Sequence, residues 1–481
     1  MRYSKQVLPL AMGGVFFWIL ITAVVFPHES EAETVVEKNP STAESTSRTG
    51  DEMLCLAEAI QRARSNSPDM KVADARIKQA DAEVKRARAA FYPYVGMYTE
   101  YIRGDAPSAY LFKAIDQREL PPNTNFNDPG DFDNFEFGIK AGVNVFSGNR
   151  DVLRHRMAKT GLRSGEMEKA GMDNQLTAMV IHGFYNCLAA ERYVEIARQS
   201  VITVEEQLRV MKVRFDAGGA LKSDLLSLEV RLAGARETVV QSINAYEKAK
   251  AALTVMMGTD PGEAIYPVRE RAYPLNIPLT YEEGLPLAIE NRPDLKSIGL
   301  MKDKAGFALG METSAFYPRV DLMGKYYVDD EDMDYESDRD NWTIGVMVNW
   351  DIFTGLSGMA GREKAKAAIE EAEAAMRKAL LDAEFEVKSA YLDLKEANAR
   401  LTVAETRVAM AEESLSLVKK QFEGGTATIT RYLEAELAVN QSRINAVSAY
   451  YDREKAMAEI GRTLGMLTTD KIGLEESPDE N

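Results

Sequence analysis

Cysteine, histidine and long apolar runs are scarce in this chain, and its basic residues are outnumbered by its acids. Of 481 residues only two are cysteine, Cys55 and Cys187, and three are histidine, His28, His155 and His182. Two cysteines do not make a disulfide framework, so free thiols are expected. The three scattered histidines leave no metal site and no histidine-dependent catalytic centre. No set of catalytic, cofactor-binding or metal-ligating residues emerges elsewhere. A net charge of −17 argues against nucleic acid as partner, because that ligand needs a basic face. Beyond residue 26 no stretch approaches the roughly 18 apolar residues of a membrane helix, so any span in the mature chain is not helical. That leaves a soluble exported protein or a β-barrel.

What is present begins with an export signal. Arg2 and Lys5 form a basic start, Val7 to Phe26 is apolar, and Ser30-Glu31-Ala32 fits a small-x-small cleavage site. The apolar stretch is long enough to serve as an uncleaved anchor, but cleavage after Ala32 is the expectation, making residues 1–32 a signal peptide. No cysteine follows the site, which argues against a lipid anchor. Residues 33–50 read as a Ser/Thr-rich linker and 469–481 as an acidic tail.

The rest of the chain is written twice. Asn66, Pro68 and Asp69 return as Asn291, Pro293 and Asp294, and Phe91-Tyr92-Pro93 returns as Phe316-Tyr317-Pro318, both at an offset of 225. Further on the offset is 207: Phe146, Gly148, Phe215, Gly218 and Glu229 match Phe353, Gly355, Phe422, Gly425 and Glu436. The copies are read as residues 51–265 and 281–468, joined by a linker at 266–280, with the longer loop in the first copy.

Each copy opens with helical sequence broken at Asn-x-Pro-Asp, since proline denies its predecessor the α region and suits a new first turn. Two strands follow, expected at 91–103 and 134–147 and again at 318–328 and 341–353. In the second strand of each copy Phe135, Phe137, Ile139, Val143 and Ile344, Val346, Val348 alternate with Glu136, Lys140, Asn144 and Thr343, Asn349. Such a period of two marks one apolar and one wet face, over the about 9–11 residues of a transmembrane β-strand. Trp342 and Trp350 near the strand ends suit an aromatic girdle. The first inter-strand loop, 104–133, is long and polar. The second, 329–340, is rich in acids but lacks the glycine and glutamate spacing of an EF-hand, and is expected to be a solvated outward loop.

Proline-free stretches then run from Gly148 to Phe215 and from Gly355 to Phe422, giving long helices at 149–217 and 356–423. Val387, Leu394, Leu401, Val408, Leu415 and Phe422 recur every seven residues, as do Val180, Cys187, Val194, Val201, Leu208 and Phe215. Small residues such as Ala390, Ala397, Gly183 and Ala190 sit three positions on, a coiled-coil type of seam. At 1.5 Å per residue each helix is about 100 Å long. Glycines end each one, and return helices follow at 222–257 and 430–464, with Ser223 and Thr430 as expected N-caps.

Four strands cannot close a barrel in lipid, where eight is the small limit and no edge can stay open. Several chains must pool them, and three would give twelve. With its doubled strand pair and long hairpin, Asn-x-Pro openings, Phe-Tyr-Pro strand entries and Phe-x-x-Gly turns, the chain from about 51 to 468 resembles the TolC-type outer membrane efflux protein family. The resemblance implies a mixed α/β membrane protein: a homotrimer with a twelve-stranded outer-membrane β-barrel, four strands per chain, continuous with a periplasmic α-helical barrel. It also implies outer membrane lipid around the barrel, a periplasmic adaptor, and an inner-membrane RND or ABC pump, for efflux or type I secretion. The helical turns would be the constricted periplasmic tips, with Phe215, Gly218, Ser223, Asp224, Phe422, Gly425, Arg431 and Glu434 as candidate residues. Aligned glycine to glycine, Ser223-Asp224 matches a Thr-Asp pair of the archetype's closed tip, Phe422 an aromatic position and Glu434 an acidic one. Ala427 stands where the family has a gate-bonding arginine, and Arg431 replaces the first acid of a constriction ring, so the family's gating links do not carry over intact. The alternative reading, a periplasmic coiled-coil adaptor, accounts for the export signal and the hairpins but leaves the duplicated strands unexplained.

Overall fold

A computed structural model describes residues 53–268, 277–333 and 339–468. The expected signal peptide, Ser/Thr-rich linker and acidic tail lie outside the described residues. In chain order the elements are β1 (Met53–Leu54), α1 (Leu56–Asn66), α2 (Pro68–Arg88), β2 (Tyr94–Gly104), α3 (Pro107–Asp116), β3 (Phe132–Phe146), α4 (Arg150–Asp216) and α5 (Lys222–Met256). After β4 (Tyr266–Pro267) the second copy runs α6 (Tyr281–Asn291), α7 (Pro293–Ser314), β5 (Arg319–Asp330), β6 (Asp340–Asn349), α8 (Ser357–Glu423) and α9 (Ile429–Thr463). Among the described residues no helix is long and apolar enough to cross a membrane.

The start of each copy is built the same way. Cys55 and Thr280 cap α1 and α6, each side chain accepting a backbone N–H three residues on, from Glu58 and Glu283. Cys55 is thus the cap of the short helix rather than a member of it. The return helices end in left-handed Gly258 and Gly465, at φ +72° and +67°. A Cβ on Gly258 would lie 2.7 Å from the carbonyl carbon of Asn66, and one on Gly465 would lie 3.0 Å from the Cα of Arg292. The Asn-x-Pro breaks therefore nest against the ends of the return helices, where only a glycine fits.

The seam periodicity becomes the helical core. Val180, Gly183, Cys187, Ala190, Val194 and Ala197 are buried along α4, and Val387, Ala390, Ala397 and Ala404 along α8. Small residues at these positions let the hairpin partners α5 and α9 approach closely. Cys187 sits in the largest apolar cluster, and burial pushes its thiol up to about 12. Both cysteines are free thiols. A buried ion pair ties the same region together: Arg64 donates to Asp173 at 2.6 Å and to the carbonyl of Leu467 at 2.9 Å.

The four long strands form one antiparallel sheet in the order β2-β3-β5-β6. Its register places Met97, Ile139, Tyr326 and Trp342 side by side in one row. That row belongs to the apolar face, where Met97, Ile344, Val346 and Val348 are exposed on the single chain. Glu136, Lys140, Lys325 and Thr343 lie on the other face, as the alternation required.

Three expectations need correction. The linker at 266–280 contributes β4, which pairs in parallel with β1, because the apolar Leu54 needs a backbone partner where it is buried. Loop 104–133 contains α3, begun by Pro107 at its first turn. The acidic loop is not wholly solvated. Asp329 and Asp330 belong to β5 and are buried, Asp329 bonded by Lys113 and Asn134, Asp330 by Arg339. Its middle, 334–338, lies outside the described residues.

Candidate functional site

Both long helices end in the same hydrogen-bonded turn. At the first, the N–H of Gly218 donates to the carbonyl of Phe215 and that of Gly219 to Arg214. At the second, Gly425 donates to Phe422 and Thr426 to Gln421. These crossed bonds use the last orphan carbonyls of each helix, and they require the φ of +75° that Gly218 and Gly425 both adopt.

The restart differs between the turns, and both expected N-caps move. Leu221 stands at the cap of α5 without a side-chain bond, because it, not Ser223, has the extended backbone there. Thr428, rather than Thr430, caps α9 and accepts the N–H of Arg431 at 3.3 Å. The second turn is therefore the better closed of the two.

The two turns share one apolar cluster drawn from all four helices, including Met211, Leu228, Val418 and Tyr432, which fixes the hairpins side by side. Phe422 packs against it. Its ring stacks on Tyr432 at 5.4 Å with 5° between the planes, and the Arg214 guanidinium lies 5.0 Å above it. Its aromatic surface is thus engaged within the chain. Phe215 and Asp224 are half-buried, while Ser223, Arg431 and Glu434 are exposed. Among the described residues no hydrogen bond or ion pair joins Arg431 to Asp224 or Glu434. The structure brings the glycines and Phe422 into one turn framework and leaves the three charges apart.

Sequence reasoning missed a buried polar group just above the turns. Glu436, which served only as a repeat landmark, is 3 % exposed and accepts from Gln207 Nε2 at 3.0 Å. Its Oε1 and the Nε of Arg231 have no hydrogen-bond partner. Burial raises the Glu436 carboxyl above the ordinary range, against the opposing pull of Gln207 and Arg231. Its counterpart Glu229 is exposed. Only the packing of α4 against α9 separates the two, and no local pattern carries that information.

A sheet with open edges and one exposed apolar face, continuous with hairpins about 100 Å long, fits a class of protein: a barrel joined to an α-helical tunnel. The family described as outer membrane efflux protein matches residues 59–259 and 284–466, and the chain belongs to it. Among curated proteins it is 26% identical to the pyoverdine export outer membrane protein OpmQ of Pseudomonas aeruginosa, over 56% of this chain and 54% of OpmQ. It is 22% identical to the alkaline protease secretion protein AprF of the same organism, over 66% of this chain and 65% of AprF. The matches thus span between half and two thirds of the length of these relatives. Among solved structures, the outer membrane protein VceC of Vibrio cholerae superposes with a TM-score of 0.71 at 18% identity, covering 85% of this chain and 96% of VceC. The CmeC outer membrane channel of Campylobacter jejuni gives 0.72 at 16%, covering 85% of each chain. The fold is that of the TolC-like channels, and the protein is one of the Gram-negative outer membrane with a large periplasmic helical part. Family membership favours the channel reading over the adaptor.

Proposed function

We propose that three copies pool their sheets into a twelve-stranded barrel and their hairpins into a periplasmic tunnel, forming the exit duct of a tripartite efflux pump or a type I secretion system. The reading treats the chain as a conduit rather than an enzyme. One observation carries it. The sheet has an exposed apolar face and two strands, β2 and β6, each unpaired along one edge within the chain. In lipid such edges must pair, and the neighbouring copy's β2 is the natural partner of β6. A periplasmic adaptor and an inner-membrane RND or ABC pump would complete the path. The export function of OpmQ and AprF supports that assignment by analogy.

The helical turns, at the far end of the hairpins from the sheet, are the candidate constriction. Three-fold repetition of Asp224, Arg431 and Glu434 in a narrow mouth would focus the field on passing ions. Phe215, Gly218, Ser223, Phe422 and Gly425 would shape the turns that carry them. The test is a heat-modifiability gel of outer-membrane fractions, followed by planar-bilayer recording. A heat-dissociable trimer is expected, with altered cation preference in Asp224→Ala/Glu434→Ala at unchanged trimer yield. A monomer in the soluble fraction overturns the duct, and unchanged conductance and selectivity remove these two acids from the pore.

A further inference from the structure

The first copy differs from the second most in the segment between its strands, and that segment does not point away from the sheet. Helix α3 lies across the wet face. Lys113 donates to Glu136 on β3 and to Asp329 on β5, each at 2.8 Å. Gln117 donates to Asn134 at 2.8 Å, and Asn134 in turn to Asp329 at 2.8 Å. Farther across, Arg118 reaches the carbonyl of Asp340 and Asn341 on β6 at 3.3 and 3.1 Å. Helix α3 and the two residues that follow it are thus bonded to three strands through their wet side.

Resting on the channel reading above, we propose that α3 is a second gate, closing the outer mouth of the barrel, with Lys113 as its latch and Phe112 and Ile115 as its plug. The wet face of a closed barrel is its lumen, so a helix bonded to that face lies inside. Twelve strands spaced about 4.8 Å apart and tilted about 40° enclose a bore roughly 24 Å across. A helix with its side chains is about 10 Å thick, so one against each third of the wall leaves a gap of only a few ångströms. The surface the helix turns towards the axis suits that role. At 100° per residue Tyr110, Lys113, Ala114 and Gln117 face the sheet, and Phe112 and Ile115 face away. Those two are 66 % and 44 % exposed on the single chain, an unusual outlay of apolar surface for a polar loop. On a three-fold axis they meet their own copies and close a dry plug. Lys113 holds it by charge-assisted bonds to two buried carboxylates, and loss of those bonds frees the helix to swing out.

The test uses the full chain in intact cells, in a Cys55→Ser background, with Lys140→Cys as a reporter. Lys140 is on the same wet face about 13 Å deeper than Glu136, four residues along β3. A maleimide carried on a short polyethylene glycol is added from outside, and labelling of the heat-modifiable trimer is followed in time. The native lid should give slow labelling. Lys113→Ala should label about ten-fold faster, the order expected for losing a hydrogen bond to a charged group, while Lys113→Arg stays slow. Phe112→Ala, which leaves the latch bonds of Lys113 in place, should also speed labelling. It decides the matter if Lys113→Ala does not assemble: a native rate in Phe112→Ala then overturns the gate. Equal rates in the native lid and Lys113→Ala trimers, fast or slow, overturn it as well. Absence of any trimer from the native chain overturns the channel reading, and the gate with it.

Discussion

The two copies share a skeleton and differ at their ends. In the middle even exposed details repeat: Arg236 donates to Glu205 at 2.8 Å, and Arg443 donates to Glu412 at 2.6 Å, each pair displaced by the same 207 residues. Leu253 and Ile460, equivalent by that offset, are both fully buried. At the outer end the first copy inserts α3 between β2 and β3, where the chain of the second copy is 18 residues shorter. At the inner end the second copy caps its return helix with Thr428 and stacks Phe422 on Tyr432, while the first restarts at an uncapped Leu221. Duplication therefore holds at these positions of the long hairpins and lapses at their two ends. Surface ion pairs of the Arg236 kind contribute little to stability, so their repetition reflects helix geometry rather than energy.

The comparison breaks most severely at the sheet. Arginine at Ile139 or at Val346 should abolish trimer assembly, whereas Lys140→Arg and Thr343→Arg should be tolerated. A midplane charge on the lipid face costs about 2–4 kcal/mol, multiplied over three chains. Heat-modifiability gels would report it, and equal tolerance on both faces would refute the barrel orientation.

Equivalence of the cores comes next. Leu253→Ala and Ile460→Ala should each destabilise by about 2–5 kcal/mol, with similar losses, because each empties a fully buried site at the same point of its repeat. Denaturant unfolding of the detergent-solubilised protein measures both. A large loss at one site alone would mean that only one copy carries the fold.

A smaller effect separates Glu436 from Glu229. A buried carboxyl whose folded value is raised favours the folded state fully below its unfolded value, and that contribution is lost as pH rises through the folded value. At neutral pH the unpaired Oε1 leaves a cost of about 1–3 kcal/mol. Glu436→Gln should therefore protect amides near Gln207 from hydrogen exchange at neutral pH and lose that advantage on acidification. Glu229→Gln should do neither, and a neutral-pH gain equal in both variants would remove burial as the cause.

The smallest difference is at the caps. Thr428→Ala should cost about 1 kcal/mol and speed exchange of the Arg431 amide, whereas Leu221→Asp should gain a similar amount at the first turn. If Leu221→Asp leaves first-turn exchange unchanged, the asymmetry of the two turns lies elsewhere.

Much of this was legible in the linear chain. Period-two alternation gave the strand faces, the seven-residue spacing gave the buried seam, and the paired offsets gave the two-fold plan, because each is a local repeat that geometry converts directly into a surface. The site was read less well. The turn glycines stood out because a left-handed cap has few candidates, but the caps were displaced by two residues at each turn: at the second, Thr426, Thr428 and Thr430 compete, and at both the backbone dihedrals choose the position. Phe422 was legible as an aromatic at a turn, yet its stack on Tyr432 and its cover by Arg214 depend on a neighbouring helix.

By itself the sequence determined the repeat, the length of the helices, the apolar and wet faces of the strands, and that four strands need partners. These follow from chain periodicity and from the cost of unpaired backbone in lipid. Only the tertiary structure decided where long-range polar contacts fall: Lys113 between Glu136 and Asp329, Glu436 beside Gln207, β1 along β4, and the glycines at 258 and 465 against the opening breaks. Such contacts join residues far apart in the chain, and no periodicity within either segment encodes which side chain the other will meet.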